Sequence, residues 1–400
     1  MPRRHSVDTT IGENIRTRRQ ARSWSIRHAA DRAGLAHSTW SRIEKGDMGV
    51  DNRFTLAAIA EALGCSTADL TGRPPITTDG ELLAAQGAVA AILNVLVETD
   101  LAEAPTVQPR PLPEVARDAE LVWDLRLRCD YSGAARLLAP VLRELHAHTA
   151  GPDRREALRL LVRTADATSF VVRYLGYPGE AWLASDRAHD AAVALEDPVM
   201  LGLSAWSLGH AATGCGAYGR ALRIAERAVA DLDPRMTVDD APEMLGELMM
   251  LAGFAHLAQG HREEASHWAG EAATIAARTG DVPTLGLNWG PTGLNIWQIS
   301  MEVDGGDPGK AVELARATNP AVVTVSRQVA LYSDTGRALT RLGKDDEAVR
   351  MLVAAERIAP QRVRASRLVQ ETTRTLLERA QRRAGGSELR GLCERMGLSV

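Results

Sequence analysis

Aromatic residues are scarce in this 400-residue chain: 8 Trp, 5 Tyr and only 3 Phe, against 45% hydrophobic residues overall. A core of that size without many rings has to be built from Ala, Leu and Val, which points to helices. The length exceeds that of one ordinary domain. Lysine is rarer still, at Lys45, Lys310 and Lys344 only, so arginine carries the positive charge, a bias that fits a GC-rich genome more than any function. Four cysteines, Cys65, Cys129, Cys215 and Cys393, are scattered without a Cys-x-x-Cys pair or a His/Cys ligand spacing. That excludes a zinc site and a disulfide framework, and predicts reduced packing thiols. The sequence shows no uninterrupted apolar run near 18 residues and no basic-then-apolar leader, so a cytoplasmic chain with no membrane partner is expected.

Signatures of catalysis and cofactor binding are missing too. His261-Arg262-Glu263-Glu264 lacks the second His of a zinc-binding helix face, and His267 falls at the wrong spacing. His146 and His148 are two apart and face different ways on a helix. No Gly-x-Ser-x-Gly elbow and no Gly-x-x-x-x-Gly-Lys-Ser/Thr loop occurs, and Gly290-Pro291-Thr292-Gly293 has neither the lysine nor the preceding strand of a phosphate loop. The expectation is a non-enzyme with no metal and no cofactor.

What is present is concentrated first in residues 11–70, where five short helices are predicted at 11–21, 25–34, 36–46, 55–64 and 66–70. Ser25 is a good N-cap for a helix starting at Ile26. Ala29, Ala30 and Ala33 give that helix small contacts, and Gly34 supplies the left-handed residue for a sharp turn into the next, His37–Lys45. Trp40 and Ile43 face the small core; His37, Ser38, Ser41 and Arg42 face outward. Two helices joined by a tight Gly-containing turn let the second lie in a major groove. Charge agrees, with 12 Lys and Arg against 8 acidic residues in 1–76 and 35 against 43 in the remainder. Arg3, Arg4, Arg16, Arg18, Arg22, Arg27, Lys45 and Arg53 are candidate phosphate contacts.

This segment resembles the Xre/Cro-type helix-turn-helix domain of phage repressors and bacterial regulators. The run Ser38-Thr39-Trp40-Ser41-Arg42-Ile43-Glu44-Lys45-Gly46 matches the family's recognition helix, with Trp40 where Ile or Leu is usual. The resemblance implies base contacts from His37, Ser38 and Arg42, and a structural ion pair between Arg19 and Glu44. The Gln common at the start of the second helix is Ile26 here. The candidate DNA-binding set is therefore His37, Ser38, Ser41, Arg42, Lys45 and Arg27.

Beyond a Pro74-Pro75 break, the apolar stretch Glu81–Glu98 and the proline-rich segment 104–113, a pattern recurs. A turn residue is followed five positions later by Ala: Asp130/Ala135, Gly176/Ala181, Gly216/Ala221, Gly260/Ala265, Gly306/Ala311 and Gly343/Ala348. Stacked helix pairs need small residues where backbones approach. The pattern resembles the tetratricopeptide repeat, clearest in Gly343-Lys344-Asp345-Asp346-Glu347-Ala348 with Ala355 and Pro360, although equivalent alanines lie 37 to 46 residues apart instead of about 34. Segments 365–383 and 388–396 are expected to cap the array.

The expected fold is all-α: a five-helix Xre-type domain at 1–75, a linker with one helix at 76–113, and a tetratricopeptide-like helical-repeat superhelix at 114–400. Candidate ligand-binding residues on the inner face are Trp206, His210, Asn288, Asn295, Trp297 and Gln298, aromatic area interleaved with amides. The combined resemblance implies a regulator binding double-stranded DNA at a palindromic operator as a homodimer. A peptide or small molecule in the array would alter its curvature and hence the spacing of the heads. The rival reading is an adaptor whose repeats dock a protein partner, with the head tethering it to DNA; a closed pocket of a few hundred cubic ångströms would favour the sensor.

Overall fold

The computed structural model describes residues 10–72, 79–103, 105, 107–381 and 386–398. Helices make up the regular structure, and among the described residues the sole β-type pairing is an isolated antiparallel bridge between Val282 and Trp289.

The head comprises α1 (Ile11–Ala21), α2 (Ile26–Arg32), α3 (His37–Lys45), α4 (Arg53–Ala62) and α5 (Thr67–Thr71). Side chains cap four of them: Thr10, Ser25, Asn52 and Ser66 each accept from a backbone N–H in the first turn of α1, α2, α4 and α5. Gly46 ends α3 in the left-handed region with φ 78°. Ile11, Ile15, Ala29, Ala30, Trp40, Ile43, Ile59, Leu63 and Leu70 form a core belonging to the head alone.

Six helix pairs follow. They are α7 (Leu112–Leu127) with α8 (Tyr131–His148), α9 (Arg154–Tyr174) with α10 (Pro178–Leu195), and α11 (Pro198–Gly214) with α12 (Tyr218–Leu232). The other three are α13 (Ala241–Ala258) with α14 (Arg262–Thr279), α15 (Pro291–Gly305) with α16 (Pro308–Ala317), and α17 (Val325–Arg341) with α18 (Asp345–Ile358). The recurring turn signal falls inside each pair, and every one of its alanines, from Ala135 to Ala348, is buried. A methyl group is all that fits where the two helices of a pair approach. The extra spacing between the fourth and fifth pairs is a loop over 280–290, where Trp289 lies flat against Gly246 so closely that a Cβ there would sit 2.0 Å from the ring.

Sequence placed α6 (Gly80–Glu98) in a linker; it is instead part of the array. Leu82, Ala85, Val89, Ile92, Val95 and Leu96 are buried in the same core, and α6 packs along α8. With a mean hydropathy of 1.7 over its most apolar window, α6 is also long and apolar enough to cross a membrane by length and composition; Gln86 and Asn94 interrupt it, so a search for an unbroken apolar run passes over it. The chain closes with α19 (Pro360–Ala365), α20 (Arg367–Gln381) and α21 (Ser387–Arg395). Helices α20 and α21 cover the last pair, whereas α19 reaches back to α6 and the start of α8. There the Gln361 amide oxygen accepts from Ser132 N–H at 2.8 Å, and Arg364 pairs with Asp79 at 2.5 Å. The two ends of the superhelix are therefore tied together.

Candidate DNA-recognition face and the cavity behind it

Helix α3 is amphipathic. Trp40 and Ile43 are buried, while His37, Ser38, Arg42 and Lys45, together with Arg27 on α2, are exposed and Ser41 is half-buried. Beneath them Glu44 takes a fork from Arg19, Nε to Oε1 at 2.6 Å and Nη2 to Oε2 at 2.8 Å. Its Oε1 also accepts from Trp40 Nε1 at 2.6 Å, and Arg19 Nη1 donates to the Trp24 carbonyl at 2.6 Å. The pair thus ties α1, the α1–α2 turn and α3 into one unit and holds the recognition helix in register.

The opposite side of the head is fastened to the array. The segment Asp51-Asn52-Arg53-Phe54, at the start of α4, enters the inner face of the repeats. Arg53 pairs with Asp304 at 2.5 Å and Asp334 at 3.1 Å. Arg337 pairs with the same two carboxylates at 2.5 and 2.7 Å and donates to the Asp51 carbonyl. Arg341 reaches Asp51 Oδ1 at 3.0 Å. Burial by itself would raise the Asp304 and Asp334 carboxyls, but the facing guanidiniums outweigh it and hold both below the usual carboxylate range. Phe54 adds an apolar plug, 5.4 Å from Tyr218 and 5.1 Å from Phe254 between ring centroids. Helix α5 completes the seat, with Thr67 Oγ1 donating to the Gly214 carbonyl at 3.2 Å.

Between head and array lies a cavity of about 360 Å³. Leu56, Thr67, Ala68 and Thr71 of the head line one side; Arg173, Tyr174, His210, Trp297, Arg327 and Arg362 of the array line the other. Most of the array's wall comes from the first helices of the second to sixth pairs, with Tyr218 of α12 and residues of α19 and α20 completing it. Rings continue from Phe254 through Trp297 to His210, Trp206 and Phe170. All three phenylalanines of the chain, Phe54, Phe170 and Phe254, belong to this one cluster.

A helix-turn-helix domain family matches residues 10–71. No curated protein matches the chain. The head is a helix-turn-helix domain. With its family come DNA binding and a place in transcription regulation, which accord with the outward polar face of α3.

The structure separates the sequence-derived candidates. His37, Ser38, Ser41, Arg42 and Lys45 share the outer side of α3, with Arg27 on the neighbouring helix. Arg18 is engaged by Asp69 at 2.9 Å, and Arg53 is turned into the array, which removes it from the phosphate contacts because its charge is taken up by Asp304 and Asp334. Arg3 and Arg4 lie outside the described residues. Of the ligand candidates, His210 and Trp297 line the cavity; Trp206, Asn288, Asn295 and Gln298 do not. Trp206 and Trp297 both donate to Glu247 Oε2, at 3.2 and 2.9 Å, and Glu247 is fully buried against Arg327. Asn288 accepts from Thr324 N–H at 2.8 Å and fixes a loop. Sequence reading missed Arg173, Tyr174, Arg327 and Arg362. In so arginine-rich a chain nothing local marks four inward-facing residues, whereas the Asp334/Arg337 spacing of three was a readable signal.

Glu44→Ala is expected to destabilise the head by about 3 kcal/mol, because Arg19 and the Trp40 indole N–H lose their shared acceptor in a buried place. Thermal unfolding of the variant and the parent checks this; an unchanged transition would remove the pair from the fold's essentials.

Proposed function

We propose that the protein is a transcriptional regulator that binds double-stranded DNA through α3 and responds to a chemical signal held by the helical array, with no catalytic step of its own. One observation carries this reading: the recognition face of the head is open, while its rear is fastened over a cavity in the array. A ligand that contacts the docked head differently from the released one shifts the balance between them, and that differential contact is all a sensor requires. The ties from α19 to the starts of α6 and α8 resist changes in curvature, so the signal is expected to act at the seat of the head. A cavity of this size suits a small molecule or a short peptide end, whereas docking of a whole protein calls for an open groove.

Dimerisation belongs to the same reading, since one helix-turn-helix touches few base pairs and two heads read a palindrome. The outer side of α6 offers a surface for joining copies, with Leu83 and Val97 exposed beside Ala84, Gly87, Ala90 and Ala91. A cytoplasmic setting goes with the role.

Arg42→Ala tests the recognition face. Specific affinity is expected to fall by about 1–3 kcal/mol, with relaxed preference at one base position. Titrations against a selected operator and against random DNA distinguish the roles: equal loss on both would make Arg42 a phosphate contact.

A further inference from the structure

The cavity behind the head is unevenly charged. Among the arginines that line it, Arg53 and Arg337 are neutralised by Asp304 and Asp334, Arg327 by Glu247, and Arg367 donates to the Gln370 side-chain oxygen at 3.1 Å. Arg173 and Arg362 are different. Among the described residues no carboxylate lies within ion-pair distance of either. They sit together, with guanidinium carbons 4.6 and 4.0 Å from the centroid of the Tyr174 ring. Arg362 is held in place, its Nη1 donating to the Ser326 carbonyl at 2.7 Å and its hydroxyl at 2.9 Å, and its Nη2 to the Tyr174 hydroxyl at 3.0 Å. Arg173 has less support, and its buried Nε has no protein partner.

Two like charges inside a protein, stabilised by the Tyr174 ring, by Phe170 at 4.7 Å from the Arg173 guanidinium carbon and by a few neutral acceptors, leave positive potential unanswered. Burial, and beyond it the field of Arg362, lower the Arg173 guanidinium from its ordinary value against the pull of Tyr174. The same two arginines lower the Tyr174 phenol although burial would raise it. The Tyr174 shift and the Arg362 contribution to the Arg173 shift both report positive potential at this place. Around it the walls are flat and apolar: Trp297, Phe254, Tyr218 and the His210 imidazole, whose buried Nε2 also lacks a partner.

We propose that this cavity is a receptor site for a small organic anion, a flat apolar body bearing an oxyanion head group, with Arg173 and Arg362 taking the oxyanion and the aromatic wall taking the body. Guanidiniums supply paired N–H donors that match a carboxylate, sulfonate or phosphate oxygen pair. His210, held neutral by burial and by nearby arginines, offers one further hydrogen bond. The assignment rests on the sensing function proposed above and names its ligand class. Because Leu56, Thr67 and Thr71 form part of the same lining, the occupant touches head and array together.

The test uses the full chain and two fluorescent probes with the same rings, 8-anilinonaphthalene-1-sulfonate and the uncharged N-phenyl-1-naphthylamine. The sulfonate is expected to bind saturably at one site and at least about tenfold more tightly than the neutral probe, a factor typical of one buried charge-assisted hydrogen-bonded contact. Arg173→Gln and Arg362→Gln should each weaken the sulfonate about tenfold and leave the neutral probe unchanged, while Arg173→Lys and Arg362→Lys lose less. Inorganic phosphate at millimolar concentration should displace the sulfonate. Equal affinity of the two probes for the unmodified protein would overturn the proposal and leave the two arginines as a structural stack on Tyr174; this comparison decides even if a Gln variant does not fold. Unchanged sulfonate affinity in folded Gln variants would overturn it as well. Operator titrations with and without the sulfonate separate the two readings: arginine-dependent binding with no change in DNA affinity supports the anion site and removes the sensing function.

Discussion

Arg337→Ala is expected to release the head from the array and to lower stability by about 3–5 kcal/mol, the cost of removing one member of a buried charge cluster. Arg337 is 1% exposed and lies between the carboxylates of Asp304 and Asp334, themselves fully buried or nearly so. Without it, two buried anions share Arg53, whose side chain is one-third exposed, and the Asp51 carbonyl loses its donor. The cheapest relief is for the seat to open and let water in, which frees the head. Calorimetry of the full chain should show a lowered transition, and limited proteolysis should cut between the head and α6 faster than in the parent. If the variant melts and is cleaved like the parent, the cluster does not hold the head. The sign with acid follows from the same groups. Both carboxylates are depressed in the folded protein, so their contribution is complete above the ordinary carboxylate range and is lost as pH falls toward the depressed values.

A fragment of residues 1–76 is expected to bind a whole palindromic operator roughly 10²–10⁴ more weakly than the full chain, while binding to a half-site barely changes. The fragment retains the head's own core from Ile11 to Leu70 and the Arg19–Glu44 fork, so its DNA-contacting surface is intact. It lacks the body proposed to join two heads, and with it the effective concentration of the second. Gel-shift titrations of both proteins against whole and half operators measure the difference. Equal affinity for the whole operator would mean that the head acts alone or pairs by itself, and linkage through the array would have to be abandoned.

Most of the head was legible in the sequence because its determinants are local. The cap at Ser25, the left-handed Gly34 and the Trp40/Ile43 face lie within one or two turns of the residues they organise. The same holds for the six helix pairs, since a turn residue and an alanine five positions on report a close approach inside one hairpin. The Arg19–Glu44 pair came from a family resemblance, and the structure supplied its third member, the Trp40 indole.

Only tertiary structure decided where the head sits, because that depends on contacts across some 250 to 290 residues, such as Arg53 with Asp304 and Asp334, and Asp51 with Arg341. An arginine written beside a DNA-binding segment reads as a phosphate contact; whether it faces a phosphate or an aspartate is settled by the superhelix that brings the aspartate to it. The cavity is of the same kind. Trp206 and Asn288 carry suitable chemistry for a ligand, but Glu247 and Thr324 take up their polar groups. Arg173 and Arg362 are 189 residues apart and gain their meaning from meeting at the Tyr174 ring. Local periodicity determines which residues form helices and which of their faces are apolar, whereas electrostatic neutrality is a property of the assembled volume and is decided when distant helices meet.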